Sequence, residues 1–271
     1  MDDEPDRAVL RDRAVLLAAL TAVIVISLLS TLSGAGMSMS AIDMTRMGRT
    51  PGVHALGLGS GMFTMPSPSW TLAYGFAVLA MWWTMMLAMM LPSATPMILQ
   101  YAAISRLRRD RNSIRLSPYV FAIGYGLAWG SFSLAAVLLQ WQLSEARLLS
   151  PMMLTATRWL AAALLIGSGI WQFSALKSHC LALCRSPIEF LVRHRHQGAL
   201  RLGLTHGVYC LGCCWALMLL LFYGGVMNLY WIIGLSVLVL TEKLTAAGPW
   251  LARVTGAGLI AWGTAMALAL V

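Results

Sequence analysis

Seven apolar runs, each close to the length of a bilayer crossing, constrain this chain more than any other feature. They lie near residues 14–33, 72–98, 118–140, 156–176, 204–224, 229–247 and 254–271. A helix rises ~1.5 Å per residue, so about 20 apolar residues cover a ~30 Å hydrocarbon core. Inside that core each backbone N–H and C=O must be satisfied within its own segment, which selects helices. The expected fold is all-α: a polytopic transmembrane helix bundle of about seven spans. It forms a single domain over residues 14–271 behind a short segment, 1–13, with no separate soluble domain. Composition supports this, at 59% hydrophobic and 11% charged residues, against roughly 45–50% and 25% in soluble domains.

The first run follows MDDEPDRAVLRDR and could be mistaken for a secretory signal. Signal cores hold about 7–15 apolar residues. This run is nearer twenty, so it reads as a retained span, with small residues near Ala35 marking where cleavage would otherwise fall.

The net charge of +9 does not point to nucleic acid, because the basic residues sit in short loops between apolar runs. There they set orientation. With the N-terminus in the cytoplasm, the inner set is Arg7, Arg11, Arg13, Arg106, Arg108, Arg109, Arg111, Arg115, Lys177, Arg185, Arg193, Arg195, Arg201, Lys243 and Arg253. The outer set is Arg46, Arg49, Arg147 and Arg158. The partner of the surface is therefore the lipid bilayer. Pro92 and Pro96 remove two backbone donors and are expected to kink or end the second helix on its inner side. Glycines at 124, 126, 130, 167 and 169 permit close helix packing.

The chemistry-bearing residues gather toward one end. The five cysteines are Cys180, Cys184, Cys210, Cys213 and Cys214. An odd number on the reducing side argues against a disulfide framework and for free thiols or metal ligands. In THGVYCLGCCWALM, His206, Cys210 and Cys214 recur every four residues, and Cys213 stands one turn from Cys210. In a helix they share a stripe that Met218 continues. Imidazole, thiol and thioether suit Cu(I), or Zn(II) as the alternative, far better than Mg or Ca. Cysteine is also a small hydrophobe that packs well, so packing is the competing reading.

Helical rise sets the depths. Cys210 lies ~6 Å and Cys213 and Cys214 about 10–12 Å inside the inner boundary, and Glu242, approached from Leu229, reaches the same level. A buried acid there is a functional candidate, unless Lys243 and the boundary accommodate it by snorkelling. In MWWTMMLAMMLPSATPM the methionines at 81, 85, 86, 89 and 90 form two adjacent stripes. Met86, Met89 and Met90 reach the depth of the cysteines. Alone they read as core filling; beside thiols they are soft ligands.

Cys180 and Cys184, beside His179, form a docking or relay candidate on the inner loop. The RHRH stretch at Arg193–His196 reads as a solvated basic segment facing anionic lipid. The outer segment, with Met37, Met39, His54, Met62 and Met65, reads as a Met-rich loop that could also collect a soft metal, along with Met44 and Met47. No phosphate-binding glycine loop, H-E-x-x-H or G-x-S-x-G occurs, which removes the nucleotide-driven pump and hydrolase classes.

These segments resemble a bacterial family of uncharacterised, predicted metal-binding integral membrane proteins, catalogued as a domain of unknown function. The resemblance covers roughly residues 70–250. It rests on MWWTMMLAMMLPSATPMILQY, CLALCRSP, HGVYCLGCCWALMLLLFYGGVMNLYW and TEK. The matching positions are Met85, Met86, Met89, Met90, Pro92, Cys180, Cys184, Cys210, Cys213, Cys214, Trp215, Met218, Met227, Asn228, Glu242 and Lys243. It implies a bacterial cytoplasmic (inner) membrane location and a metal site, and no stated activity.

The expectation is a protein that binds copper in the inner third of its bundle for handling, transport or delivery. Cys210, Cys213 and Cys214 are the primary ligands, with His206 and a methionine supplementary and Glu242 a charge partner. A metal-donor protein or other membrane subunits are the implied partners. The alternatives are a membrane subunit of a metal-dependent oxidoreductase or monooxygenase acting on a small apolar substrate, and a structural subunit of a membrane complex.

Overall fold

Eleven helices and no strand run through the described residues. The structure is a computed structural model that describes residues 3–34, 40–47, 70–105, 111–149 and 157–268. Side chains at 3–10, 44, 47 and 111–116 are outside that description. The helices are α1 (Asp3–Leu32), α2 (Ala41–Met47), α3 (Leu72–Ser105), α4 (Arg111–Glu145), α5 (Arg158–Gln172), α6 (Ala175–Arg185), α7 (Pro187–Arg193), α8 (Ala199–Leu219), α9 (Leu221–Gly224), α10 (Leu229–Leu244) and α11 (Gly248–Ala267).

Four stretches are long and apolar enough to cross a membrane: Arg11–Leu32, Leu72–Ser105, Ser117–Glu145 and Ala199–Gly224. They coincide with the expected runs at 14–33, 72–98, 118–140 and 204–224. The run at 156–176 becomes α5 followed by α6, bent by 63° and counting as a fifth crossing if the pair is one span. The last two runs become α10, whose 16 residues fall short of a full crossing, and α11, 20 residues rich in Gly, Ala and Thr. Large apolar side chains cover much of the outside, among them Ile26, Leu72, Phe76, Ile123, Val208 and Ile233.

The prolines do not end α3, which continues through both to Ser105. Side-chain donors crowd the same turns: Ser93 Oγ donates to Met90 O (2.8 Å) and Thr95 Oγ1 to Leu91 O (3.0 Å).

Helix α3 packs between α1 and α4, α4 lies along α8, and α5 lies along α11. The α4–α8 approach depends on missing side chains. A Cβ at Gly203 would strike the Phe121 carbonyl, one at Gly124 the Leu200 carbonyl, and one at Gly207 the Ala128 side chain. Gly169, Gly256 and Gly263 do the same for α5 and α11. Gly225, at φ 93°, makes the left-handed turn into α10. Asn228 then caps α10 by accepting from Tyr230 N at 3.0 Å.

Candidate metal centre

Helix α8 carries the expected sulfur stripe, and all of it is buried: Cys210, Cys213 and Cys214 are each 1% exposed or less. The Cys213 and Cys214 thiols both donate to the Cys210 carbonyl at 3.0 Å. This back-bonding holds the three within one turn. All five cysteines are unpaired by disulfides.

Three other helices close on this turn. From α3, Met90 places Sδ 4.0 Å from Cys214 Sγ. From α4, Tyr125 Oη lies 3.1 Å from Cys210 Sγ and donates to Met90 O at 3.1 Å. From α10, Lys243 Nζ donates to Cys210 Sγ at 2.8 Å and to Ser93 Oγ at 3.1 Å. Met90, expected at the level of the cysteines, is thus brought against Cys214.

Helix α6 supplies the remaining thiols. A Cβ at Gly212 would lie 2.6 Å from Cys180 Sγ, so Cys180 rests directly against the α8 backbone. Cys184 faces Cys213. The two cysteines expected on an inner loop are therefore on a helix folded back against α8 by the bend after α5. Ser174 caps that helix, accepting from Lys177 N at 3.1 Å.

Glu242 is buried and does not snorkel. Its carboxylate takes Lys177 Nζ at 2.7 Å and Gln172 Nε2 at 3.2 Å, with both ionic side chains nearly inaccessible. Lys243 is buried as well, held by Cys210 and Ser93. This corrects the counting of Lys177 and Lys243 among the loop cations that set orientation. Both point inward, because an ammonium that finds a carboxylate or a thiol inside has no need to reach the boundary.

His206 is packed among rings, not beside a sulfur. Its centroid is 5.6 Å from Tyr125, 5.2 Å from Phe190 and 5.9 Å from Phe121, and its Nδ1 has no hydrogen-bond partner. Met86 and Met89 are buried in the core of α3, leaving Met90 as the methionine brought against a thiol. Among the described residues, no three His, Cys, Asp or Glu side chains form a group able to hold a metal ion. The soft donors come in pairs and chains instead. Met37, Met39, His54, Met62 and Met65 lie outside the described residues, as do the side chains of Met44 and Met47.

Sequence reading missed Lys243 and Tyr125 as partners of sulfur, and Lys177 and Gln172 as partners of Glu242. The signal present was adjacent opposite charges in TEK at the end of an apolar run; nothing local named their partners. A thiol and a thioether paired in this way suit a soft cation over a hard one.

A family model described as PpoB2, copper chaperone, matches residues 79–266. The match includes all five cysteines, Met90, Lys177, Glu242 and Lys243, while α1 and the Met-rich outer segment precede it. No curated protein and no solved structure matches the chain.

Proposed function

The chain belongs to the PpoB2 copper chaperone family, and from that premise we propose that it binds Cu(I) as cargo inside a bacterial inner-membrane bundle and hands it on. In this reading the N-terminus is cytoplasmic, the chain makes about seven crossings, and the sulfur-bearing turn of α8 faces the cytoplasmic third. Cys210 and Cys214 are the first ligands, with Met90 completing the site from α3. Cys213, Cys184 and Cys180 continue the soft surface toward α6, along which cargo passes to or from a donor or acceptor protein.

The observation that carries this reading is the meeting of Cys214 and Met90 sulfurs across two helices, 4.0 Å apart, with Cys210 one turn away. Taking the zinc–thiolate bond of about 2.3 Å as a guide, two such bonds in line span ~4.6 Å. An ion held by both sulfurs therefore sits about 1 Å off their line without the helices moving, a bent arrangement open to Cys210 on one side. Thioether and thiol together discriminate against hard cations. A handover protein also gains from few ligands, because a site of two thiols and one thioether releases its ion more readily than a closed four-donor site.

The test is metal analysis of the full chain purified in detergent from copper-supplied cells. About one copper per chain is expected, reduced to background by Cys210→Ala with Cys214→Ala. Copper content unaffected by the double substitution would remove these thiols from the site. Absence of copper in the parent protein would remove the function.

A further inference from the structure

The geometry points to Lys243 as the residue that makes the site specific for a monovalent ion, an inference that rests on the Cu(I) reading above. Two observations combine. First, the buried charges near the thiols among the described residues are two ammoniums, Lys177 and Lys243, and one carboxylate, Glu242. Glu242 is taken by Lys177 at 2.7 Å. Among the described residues Lys243 pairs with no carboxylate: its Nζ is held by Cys210 Sγ at 2.8 Å and Ser93 Oγ at 3.1 Å, and Tyr125 Oη lies 3.1 Å from the same sulfur. One positive charge is thus built into the interior against a soft ligand, where an unbalanced charge is costly.

Second, the two thiols taken as ligands in that reading are Cys210 and Cys214, and no three His, Cys, Asp or Glu side chains among the described residues gather to hold a metal. Two thiolates and one Cu(I) carry a single negative charge in total, and the Lys243 ammonium cancels it. Two thiolates and a divalent ion are already neutral, so Lys243 is left uncompensated in a buried setting. The lysine therefore favours Cu(I) over Zn(II) by charge, in addition to the preference that sulfur confers by softness. Neutral Met90 enters neither sum. Lys243 acts through Cys210 and touches no cargo, which makes it a specificity-positioning residue.

Charge and softness are separated by two thiophilic probes, Ag(I) and Cd(II), competing for the copper-loaded full chain in detergent. Ag(I) is expected to displace Cu(I) at comparable free concentration, and Cd(II) to require about 10–100-fold more, the range typical of groups that tune a metal's ligands. In Lys243→Gln, which removes the charge and adds no sulfur, the Cd(II) handicap is expected to shrink by the same factor, and in Lys243→Arg, which keeps the charge, to persist. Lys243→Leu serves in the same role if the glutamine variant does not fold, and the two-probe comparison on the parent protein needs no variant. Equal competition by Ag(I) and Cd(II), or an unchanged ratio in the neutral variant, overturns the role of Lys243 while leaving copper binding standing. Failure of the parent chain to hold either Cu(I) or Ag(I) overturns both.

Discussion

Helix α8 meets the bundle along two seams of opposite construction. Toward α4 it presents Gly203 and Gly207, and the helices approach until carbonyls and methyls fill the space a side chain would take. Toward α3, α6 and α10 it presents thiols, met by a thioether and an ammonium, and the Tyr125 phenol reaches the same turn from α4. The first seam works by absence: nothing projects, so the backbones are held close and the register is fixed. The second works by chemistry that a buried interior disfavours unless every polar group has a partner. The close glycine seam determines where Tyr125 stands, because Tyr125 lies on α4 beside Gly124. The packing seam therefore sets the geometry of the reactive one.

The largest expected break in this arrangement comes from the ion pair behind the thiols. Lys177→Met leaves Glu242 buried with Gln172 as its remaining partner, and loss of one member of a buried pair costs about 3–5 kcal/mol. Combining it with Glu242→Gln removes both charges and is expected to restore most of that loss. Denaturant titration of the purified protein, followed by helical content, measures both. A double variant no more stable than Lys177→Met would show that the pair is not acting as a unit.

Next in size is the glycine seam. Gly203→Ala drives a methyl into the Phe121 carbonyl, and backbone atoms on both sides leave no flexible side chain to yield. Overpacking of this sort costs about 1–3 kcal/mol. The fraction that folds is expected to keep its preference for Cu(I) over Cd(II), since no sulfur or charge has been touched. A lower melting temperature with an altered metal preference would mean that the placement of Tyr125 by the glycine seam, and not the Lys243 charge alone, sets the preference.

Tyr125→Phe should have a smaller effect that belongs to the second seam. It removes the hydroxyl between Cys210 Sγ and the Met90 carbonyl, which keeps Ser93 Oγ as a donor. A loss of about 1 kcal/mol in stability is expected. Copper affinity should fall by roughly tenfold, the low end for groups that orient ligands. Competition against a Cu(I) chelator reads the affinity directly.

The helix stripe was legible because it lies on one element. Spacing of four within THGVYCLGCC puts Cys210 and Cys214 on a shared face whatever else the chain does. Depth was legible for the same reason: a constant rise per residue placed α3, α8 and α10 at matching levels, and Lys243 meets Cys210 there. The bend between Gln172 and Ala175 was not legible, since Phe173 and Ser174 carry no proline or glycine to announce it. That bend brings Lys177, Cys180 and Cys184 back against α8. Their partners lie 29 to 65 residues away, and no local pattern encodes such a pairing. Lys177 and Lys243 were misread for a related reason: loop cations and buried cations look alike until a partner is known.

His206 offers the smallest effect and the sharpest division between stripe and site. It continues the cysteine spacing by one turn, yet its ring sits among Phe121, Tyr125 and Phe190 with Nδ1 unbonded. Position on a stripe assigns a residue to a face; the surrounding side chains decide what it does there. In this setting His206→Phe keeps the ring contacts and removes a buried nitrogen without a partner, so stability is expected to change by less than about 1 kcal/mol. Copper content and the Ag(I)-over-Cd(II) preference should be unaltered, because the two-sulfur site lies a turn further along α8. If His206→Phe instead lowers copper retention while His206→Gln preserves it, the imidazole is contributing a donor atom, and the boundary between the aromatic packing and the sulfur seam must move one turn toward the start of α8.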